Sequence, residues 1–487
     1  MENRPKVVVE PPTSRGLREV KIGGETVGSA WSLRGLRKIL SRHGYPEDMD
    51  VEDRTSVCWR AGGSQTWPDR PMKRHATIAL MVAGLLGSMA LLTVVGAPDA
   101  LGALTFAGRA TGFLFMLAGS VQGVAASAAL DYWGKRRLKL SGPVILLGVL
   151  ITLATSSLLL FLWLQETEYT DYLLAYFPLW SWSLWALWLL LREKAWRGLP
   201  HPKSFAIGVT ATAVIASANL TYSAVYQPAA SPLLFRLEAK FGKPEMDTER
   251  SFMHLPLTLR AKNVGKVPAY IITDFYSVYG HLTKFSSTDN GLKDLRKAME
   301  EESDAGLYVS RPEYKTISTG RFYSVGQWIE PGGEYTAERL IRIPMTAKFD
   351  AVEALFMLDL MRKDRGRIDE GEFSTAHFSW DKGEGRFYHP PGEYGDNLIY
   401  HGRVRHNNNM INVTRRPRYV TSVWSADSEG SVAYSSISSF SFNPEDRPDE
   451  REEMRELERY GVVSVYGESL IPFAALTNNI GSQKAGS

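Results

Sequence analysis

Five long stretches between residues 76 and 226 carry almost no charge, and each gives way to a short cluster of charged or turn-forming residues. A hydrocarbon core takes about 20 helical residues to cross. Residues 76–96, 111–130, 143–164, 172–191 and 205–226 reach roughly that length. Five such runs in succession, none with a polar stripe, predict an α-helical polytopic membrane bundle of five spans. After residue 229 the period changes from helical to two. Leu255, Leu257, Leu259 and Ala261 alternate with Thr258, Arg260 and Lys262, as a half-buried strand requires. "NVGK" (263–266) then leads into a run rich in Ile, Tyr, Phe and Val, which predicts a hairpin of an antiparallel sheet. "RFYSVGQWI", "EYTAERLIRI", "AVEALFMLDLM", "NLIYHGRV" and "SVAYSSISSFSF" continue the strand pattern between turns such as "EPGGE". Two helical insertions interrupt it, "GLKDLRKAMEEE" with Leu292, Leu295 and Met299 on one face, and "DEREEMRELERYG" near the end. Many short strands with frequent turns predict an all-β sandwich.

The stretch before the spans divides in two. "PKVVVEPPTSRG" is Pro-rich and reads as disordered. The following "SLRGLRKILSRHG" reads as a helix with Ser32 as N-cap and Gly44 as its stop. Leu33, Leu36 and Leu40 line one face, flanked by Arg34, Lys38 and Arg42. Such a helix has two destinations. It lies on an anionic leaflet, where each cation contributes about 1 kcal/mol, or it packs its leucines on the acidic segment "PEDMDVEDRTSVCW" in a small cytoplasmic module.

Charge then sets orientation. Arg70, Lys73 and Arg74 precede the first span, Lys135, Arg136, Arg137 and Lys139 separate the second and third, and Arg192, Lys194, Arg197 and Lys203 separate the fourth and fifth. The opposite connections hold Arg109 as their lone cation in one case and Glu166, Glu168 and Asp171 in the other. Cations concentrate on the cytoplasmic side, so the N-terminus is expected inside and everything after about Gln227 outside. The expected domains are a cytoplasmic region at 1–74, the bundle at 75–228 and an extracytoplasmic sandwich at 229–487. No removable signal peptide is expected ahead of the first span. Trp180, Trp182, Trp185, Trp188 and Trp196 crowd the fourth span without forming one stripe, which fits indoles against headgroups or neighbouring helices and not a cofactor platform.

"LTLRAKNVGKVPAYI" followed by "WIEPGGEYTAERLIRIP" resembles bacterial immunoglobulin-like sandwich domains of the cell-adhesion-related type. In that family an N-x-G-x-x-P-A turn joins two strands and an x-P-G-E turn precedes a later one. The resemblance covers about a hundred residues and implies a surface-displayed interaction module with no catalytic residues. The insertion between Tyr279 and Gly320 and the tail after Asp381 depart from the family pattern.

Candidate chemistry is sparse. One cysteine, Cys58, excludes an intrachain disulfide framework and speaks against redox chemistry; pairing it with His43 or His75 as a nucleophile lacks a third group. His254, His281, His377, His389, His401 and His406 show no metal-binding spacing, so neither a metal nor a cofactor is expected. No nucleophile elbow, P-loop or dinucleotide fingerprint appears in a supporting context. Asn412 in "NVT" matches a glycosylation acceptor, but Ala, Gly and Arg usage looks bacterial. Arg109 and Asp131 bracket the second span, Gly119 and Gly123 permit close helix packing, and Gln122 either packs or lines a polar path. Asn219 and Thr221 suit interhelical hydrogen bonds. The loop "DKGEGRFYHPPGEYGDN" is the expected binding element, through Asp381, Glu384, Tyr388, His389, Glu393, Tyr394 and Asp396. The expectation is a multi-pass plasma-membrane protein in contact with lipid, with no nucleic-acid partner, alone or in a homo- or hetero-oligomer. Its external sandwich would bind a protein or envelope component as an anchor or complex subunit. The alternatives are a transporter or channel component, a signalling protein and an envelope hydrolase.

Overall fold

The computed structural model describes the chain apart from residues 1–5, 14–15, 47–48, 54–55, 68–70, 135–137, 139, 199–231, 250, 286–290, 301–308, 381–395, 427–430, 441–449 and 478–487. Two compact units result, Met1–Ala100 with Gly112–Ile215, and Leu101–Thr111 with Ala216–Ser487.

The first unit opens with a small α+β module. Strands β1 (Val7–Val9), β2 (Arg18–Ile22), β3 (Glu25–Ala30) and β4 (Val57–Trp59) form a sheet of order β3-β2-β1-β4, with β1 parallel to β4. The Pro-rich start is therefore not disordered at 7–9. Three consecutive valines favour a pleated strand, and Val7 and Val9 are fully buried against helix α1 (Leu33–Arg42). Ser32 caps that helix by accepting from the Gly35 N–H at 3.2 Å. Leu36 and Leu40 are buried beside Val51 and Val57, so the module's own core consumes the apolar face that a bilayer would need. Arg18 is buried between Trp59 and Trp67 and donates to the carbonyls of Ala61 and Thr66 at 2.8 and 2.7 Å, which fixes the loop after β4.

Four helices follow that are long and apolar enough to cross a membrane: α2 (Pro71–Gly102), α3 (Phe106–Trp133), α4 (Ser141–Glu166) and α5 (Leu173–Arg192). The chain is thus a multi-pass membrane protein. The expected fifth span, with Asn219 and Thr221, lies outside the described residues. Small residues bring the helices together. A Cβ on Gly84 would collide with the Trp182 ring, and one on Gly148 would stand 2.7 Å from Ala125 Cβ. Trp182 donates to Leu80 O at 3.1 Å and Trp180 to Ser157 Oγ at 3.1 Å, so these indoles join helices, whereas Trp188 is exposed beside Arg192. Gln122 is fully buried among the described residues. Its Nε2 donates to Gly148 O at 2.9 Å and Thr152 Oγ1 at 3.1 Å, and Thr152 donates to Ser88 Oγ at 3.0 Å. The network ties α2, α3 and α4 together. Away from it, Arg109 donates to Ala103 O and Asp131 accepts from the Leu138 N–H, both near helix ends.

The second unit is built from antiparallel sheets. Sheet one has the order β11-β7-β5, from β11 (Glu334–Pro344), β7 (Phe252–Asn263) and β5 (Phe235–Phe241), with β6 (Glu245–Met246) also on β7. Sheet two has the order β10-β8-β12-β18, from β10 (Trp328–Ile329), β8 (Ala269–Phe285), β12 (Ala351–Arg362) and β18 (Val463–Pro472), with β9 (Val309–Gly320) on β8. Leu255, Leu257, Leu259, Ile341 and Ile343 of sheet one share a core with Ile271, Val278, Ala354, Phe356 and Leu358 of sheet two, which makes the pair a sandwich. Each Leu, Ile, Val or Phe side chain among them contributes roughly 1.5–3 kcal/mol by burial.

The hairpin expected at "NVGK" is absent, because β7 and β8 lie in opposite sheets and the turn is an arch across the sandwich. Asn263 holds the arch. Its buried Nδ2 donates to Val267 O at 2.9 Å and Ile329 O at 3.1 Å, while its Oδ1 accepts from the Gly265 N–H at 3.0 Å. Of "RFYSVGQWI" only Trp328–Ile329 forms a strand. The preceding segment is instead held by Asp274, whose carboxylate accepts from the backbone N–H groups of Phe322 and Tyr323 and from Arg321.

Sheet three explains why β8 reads as a continuous apolar run. It has the order β13-β15-β16-β17, from β13 (Gly366–Ile368), β15 (Asp396–His406), β16 (Arg418–Ala426) and β17 (Ser431–Ser438), with β14 (Ala376–Phe378) on β15. Val404, Val420 and Ile437 pack on Tyr270, Ile272 and Met361 of sheet two, so β8 is buried on both faces. A bulge leaves Ile272 unpaired with β12, and both Ile272 and Thr273 face sheet three; Thr273 Oγ1 lies 2.6 Å from Ser422 Oγ. The two expected helical insertions are present as α6 (Gly291–Glu300) and, nearer the end, α9 (Glu450–Tyr460), although Met299 is exposed. Two short helices intervene, α7 (Glu370–Phe373) and α8 (Asn409–Val413). Helix α9 is pinned by buried charges. Glu456 accepts from Arg415 at 2.6 Å, Arg418 Nε lies 3.6 Å away, and Arg415 also donates to Tyr460 Oη at 2.9 Å.

Candidate functional site: the outer face of sheet three

Of the expected binding residues, Asp381, Glu384, Tyr388, His389, Glu393 and Tyr394 lie outside the described residues. Asp396 is described: it is exposed and opens β15. On the other side of residues 381–395, Trp380 is exposed with its ring 5.0 Å from that of Phe378.

Strand alternation then places the chemistry. Tyr400 and Val404 of β15 face sheet two, so Asn397, Ile399, His401, Arg403 and Arg405 face outward. Nearest Asp396 this face is buried. Asn397 is fully buried and, among the described residues, its side-chain amide finds no hydrogen-bond partner. His401 shares a 2.9 Å hydrogen bond between Nδ1 and Thr421 Oγ1 and stacks on Tyr419 at 4.9 Å. Burial, with a smaller contribution from His377, pushes its pKa down to about 4, so the ring is neutral at physiological pH. His406 is lowered further, to about 3, by burial and then by Arg415, Arg459 and Arg365, although part of the residue reaches solvent.

Farther along β15 the face opens into a cavity of about 500 Å³ lined by Arg367, Ile368, Asp369, Glu370, Arg403 and Arg405. Arg367 of β13 stands directly opposite Arg405, and Arg403 lies two residues along the same face. All three arginines are exposed, and among the described residues none of their guanidinium groups forms a hydrogen bond or ion pair. The acids beside them are partly engaged. Asp369 caps α7 by accepting from the Glu372 N–H, and Glu372 accepts from the Arg403 N–H at 2.9 Å, standing in for a strand partner where α7 interrupts the edge. Glu370 points no bond toward the arginines that the described residues record.

These arginines were not among the sequence-derived candidates. "RVR" within a strand pattern signals two cations on one face, and that much was readable. The register that brings Arg367 opposite Arg405 across nearly forty residues was not. The histidines do not converge: His281 pairs with Glu353 at 2.7 Å in sheet two, and among the described residues no group of three His, Cys, Asp or Glu side chains is placed to hold a metal ion.

No protein family model and no curated protein matches the chain. Among solved structures, a Bordetella pertussis crystal structure described as the ApaA protein is 13% identical, over 27% of this chain and 83% of that one, with a TM-score of 0.15. The sporulation control protein Spo0M from Bacillus subtilis is 12% identical over 52% of this chain and 95% of its own, with a TM-score of 0.16. Likenesses this slight carry no argument about fold or function.

Proposed function

We propose that the chain is a five-span plasma-membrane protein with its N-terminal module in the cytoplasm. Its second unit is displayed outside, where it binds an envelope component or protein through the outer face of sheet three. The sorting of basic clusters to alternate connections supports the orientation. The sandwich of sheets one and two, with Asn263 and the "EPGGE" turn at its arch, supports an immunoglobulin-like reading of that part. The observation that carries the binding role is the open cavity of about 500 Å³ on a rigid sheet, rimmed by unpaired charge. Asp396 opens the same strand.

Site-directed photo-cross-linking tests this. The full chain in nanodiscs, carrying a photoreactive residue at Glu370, is exposed to envelope fractions. A reproducible adduct at Glu370 is expected, with none when the same group replaces Glu338 on the outer face of sheet one. Equal labelling from both positions would refute the assignment of the face.

A further inference from the structure

We infer that the Arg367, Arg403 and Arg405 cavity is a binding site for a phosphate oxyanion; this rests on reading the outer face of sheet three as the binding surface. Like charges directly opposite each other in a ladder are destabilising. Arg367 and Arg405 hold that relation in register, and Arg403 adds a third cation on the same face. Among the described residues, no carboxylate pairs with any of the three. A cavity of about 500 Å³ keeps the site open beside them. An anion bound there converts mutual repulsion into charge-assisted hydrogen bonds.

The donor count selects the class of anion. Each guanidinium offers a planar fork. Three forks exceed what the two oxygens of a carboxylate accept, and they match the three or four oxygens of a phosphate. Asp369 and Glu370 reduce the lining to a net single positive charge by formal count, three cations against two acids. That balance disfavours indiscriminate anion capture. The acids also supply acceptors for hydroxyl groups carried beside the phosphate. Two sources present this chemistry, a soluble phosphate compound and a phospholipid headgroup.

The test uses the full chain in zwitterionic detergent at low ionic strength, titrated with pyrophosphate and followed by calorimetry. A second arm measures co-flotation of the chain, held in phosphatidylcholine nanodiscs, with phosphatidylglycerol or phosphatidylcholine vesicles. Saturable pyrophosphate binding is expected, with Arg403→Gln and Arg405→Gln each weakening it at least about tenfold, as losing a charged hydrogen bond implies. Arg260→Gln, at a site ion-paired with Glu334 on sheet one, leaves binding unchanged. Arg405→Gln keeps or raises the melting temperature without ligand, because it relieves the Arg367 contact. Flotation that favours phosphatidylglycerol and depends on the same arginines assigns a headgroup as the source, and pyrophosphate binding without it assigns a soluble compound. No saturable binding in either arm, or variants that bind like the parent, overturns the inference. If phosphate fails while the Glu370 cross-linker still captures a partner, the ligand class falls and the binding face stands.

Discussion

Lowering the pH from 7.5 to 5.5 should destabilise the second unit through His401. Its pKa in the folded chain is about 4, against 6.5 for the free side chain, because sheet three and Phe440 remove it from water. The folded pKa lies below the unfolded one, so the unfolded chain takes up the proton first as pH falls. The stability associated with the neutral ring is complete above about pH 6.5 and is lost progressively down to about pH 4. Linkage gives a loss of about 1.3 kcal/mol between pH 7.5 and 5.5, and about 3 kcal/mol once pH passes below both values. His406, lowered to about 3, loses stability in the same direction. Adding a comparable contribution from it brings the expected total to about 2.6 kcal/mol at pH 5.5. Urea unfolding of the full chain in detergent, followed by circular dichroism of the strands, reads the difference as a shift in midpoint. His401→Gln should recover about half of the shift and His401→Gln with His406→Gln nearly all of it. Superimposable curves at the two pH values, or a His401→Gln variant as acid-sensitive as the parent, would refute the reasoning.

Three further perturbations probe other parts of the architecture. Glu456→Leu removes the buried carboxylate that pairs with Arg415, leaving that guanidinium, about 1% exposed, with Tyr460 Oη and no counter-charge from this position, and should cost about 3–5 kcal/mol in the same urea assay. Asn263→Ala removes three hydrogen bonds at the arch and leaves two carbonyls facing a methyl group, a loss of about 2–4 kcal/mol with faster amide exchange at Gly265, whose N–H donates to Asn263 Oδ1. In the bundle, Gln122→Leu should weaken the packing of α3 on α4 by about 1 kcal/mol, measured by unfolding in mixed micelles, with Thr152→Val showing a smaller effect.

Much of the architecture was readable because its signal is local. An uncharged run of about 20 residues announces a span, and strict alternation from Leu255 to Ala261 announces a strand with one buried face. The Ser32 cap and the buried Leu36 and Leu40 were equally visible in order along the chain. The errors arose where partners are distant. Period two in β7 and apolar density in β8 are the same whether the strands pair or face each other across a core, so the arch read as a hairpin. Val7–Val9 is too short to announce a strand beside three prolines, and it is fixed by Val57–Trp59, fifty residues later. The candidate site was half legible for the same reason. Asp396 and the spacing of Arg403 and Arg405 are sequence facts, while the contribution of Arg367 comes from register.

The side of the membrane that the second unit occupies bears most directly on the proposal, and the single native cysteine makes it measurable. In a Cys58→Ser background, Glu468→Cys on the exposed edge of β18 and Glu25→Cys on β3 each provide one thiol. A membrane-impermeant maleimide applied to intact cells should label the chain at position 468 and reach position 25 after permeabilisation alone. Labelling at position 25 in intact cells with protection at position 468 would contradict the account.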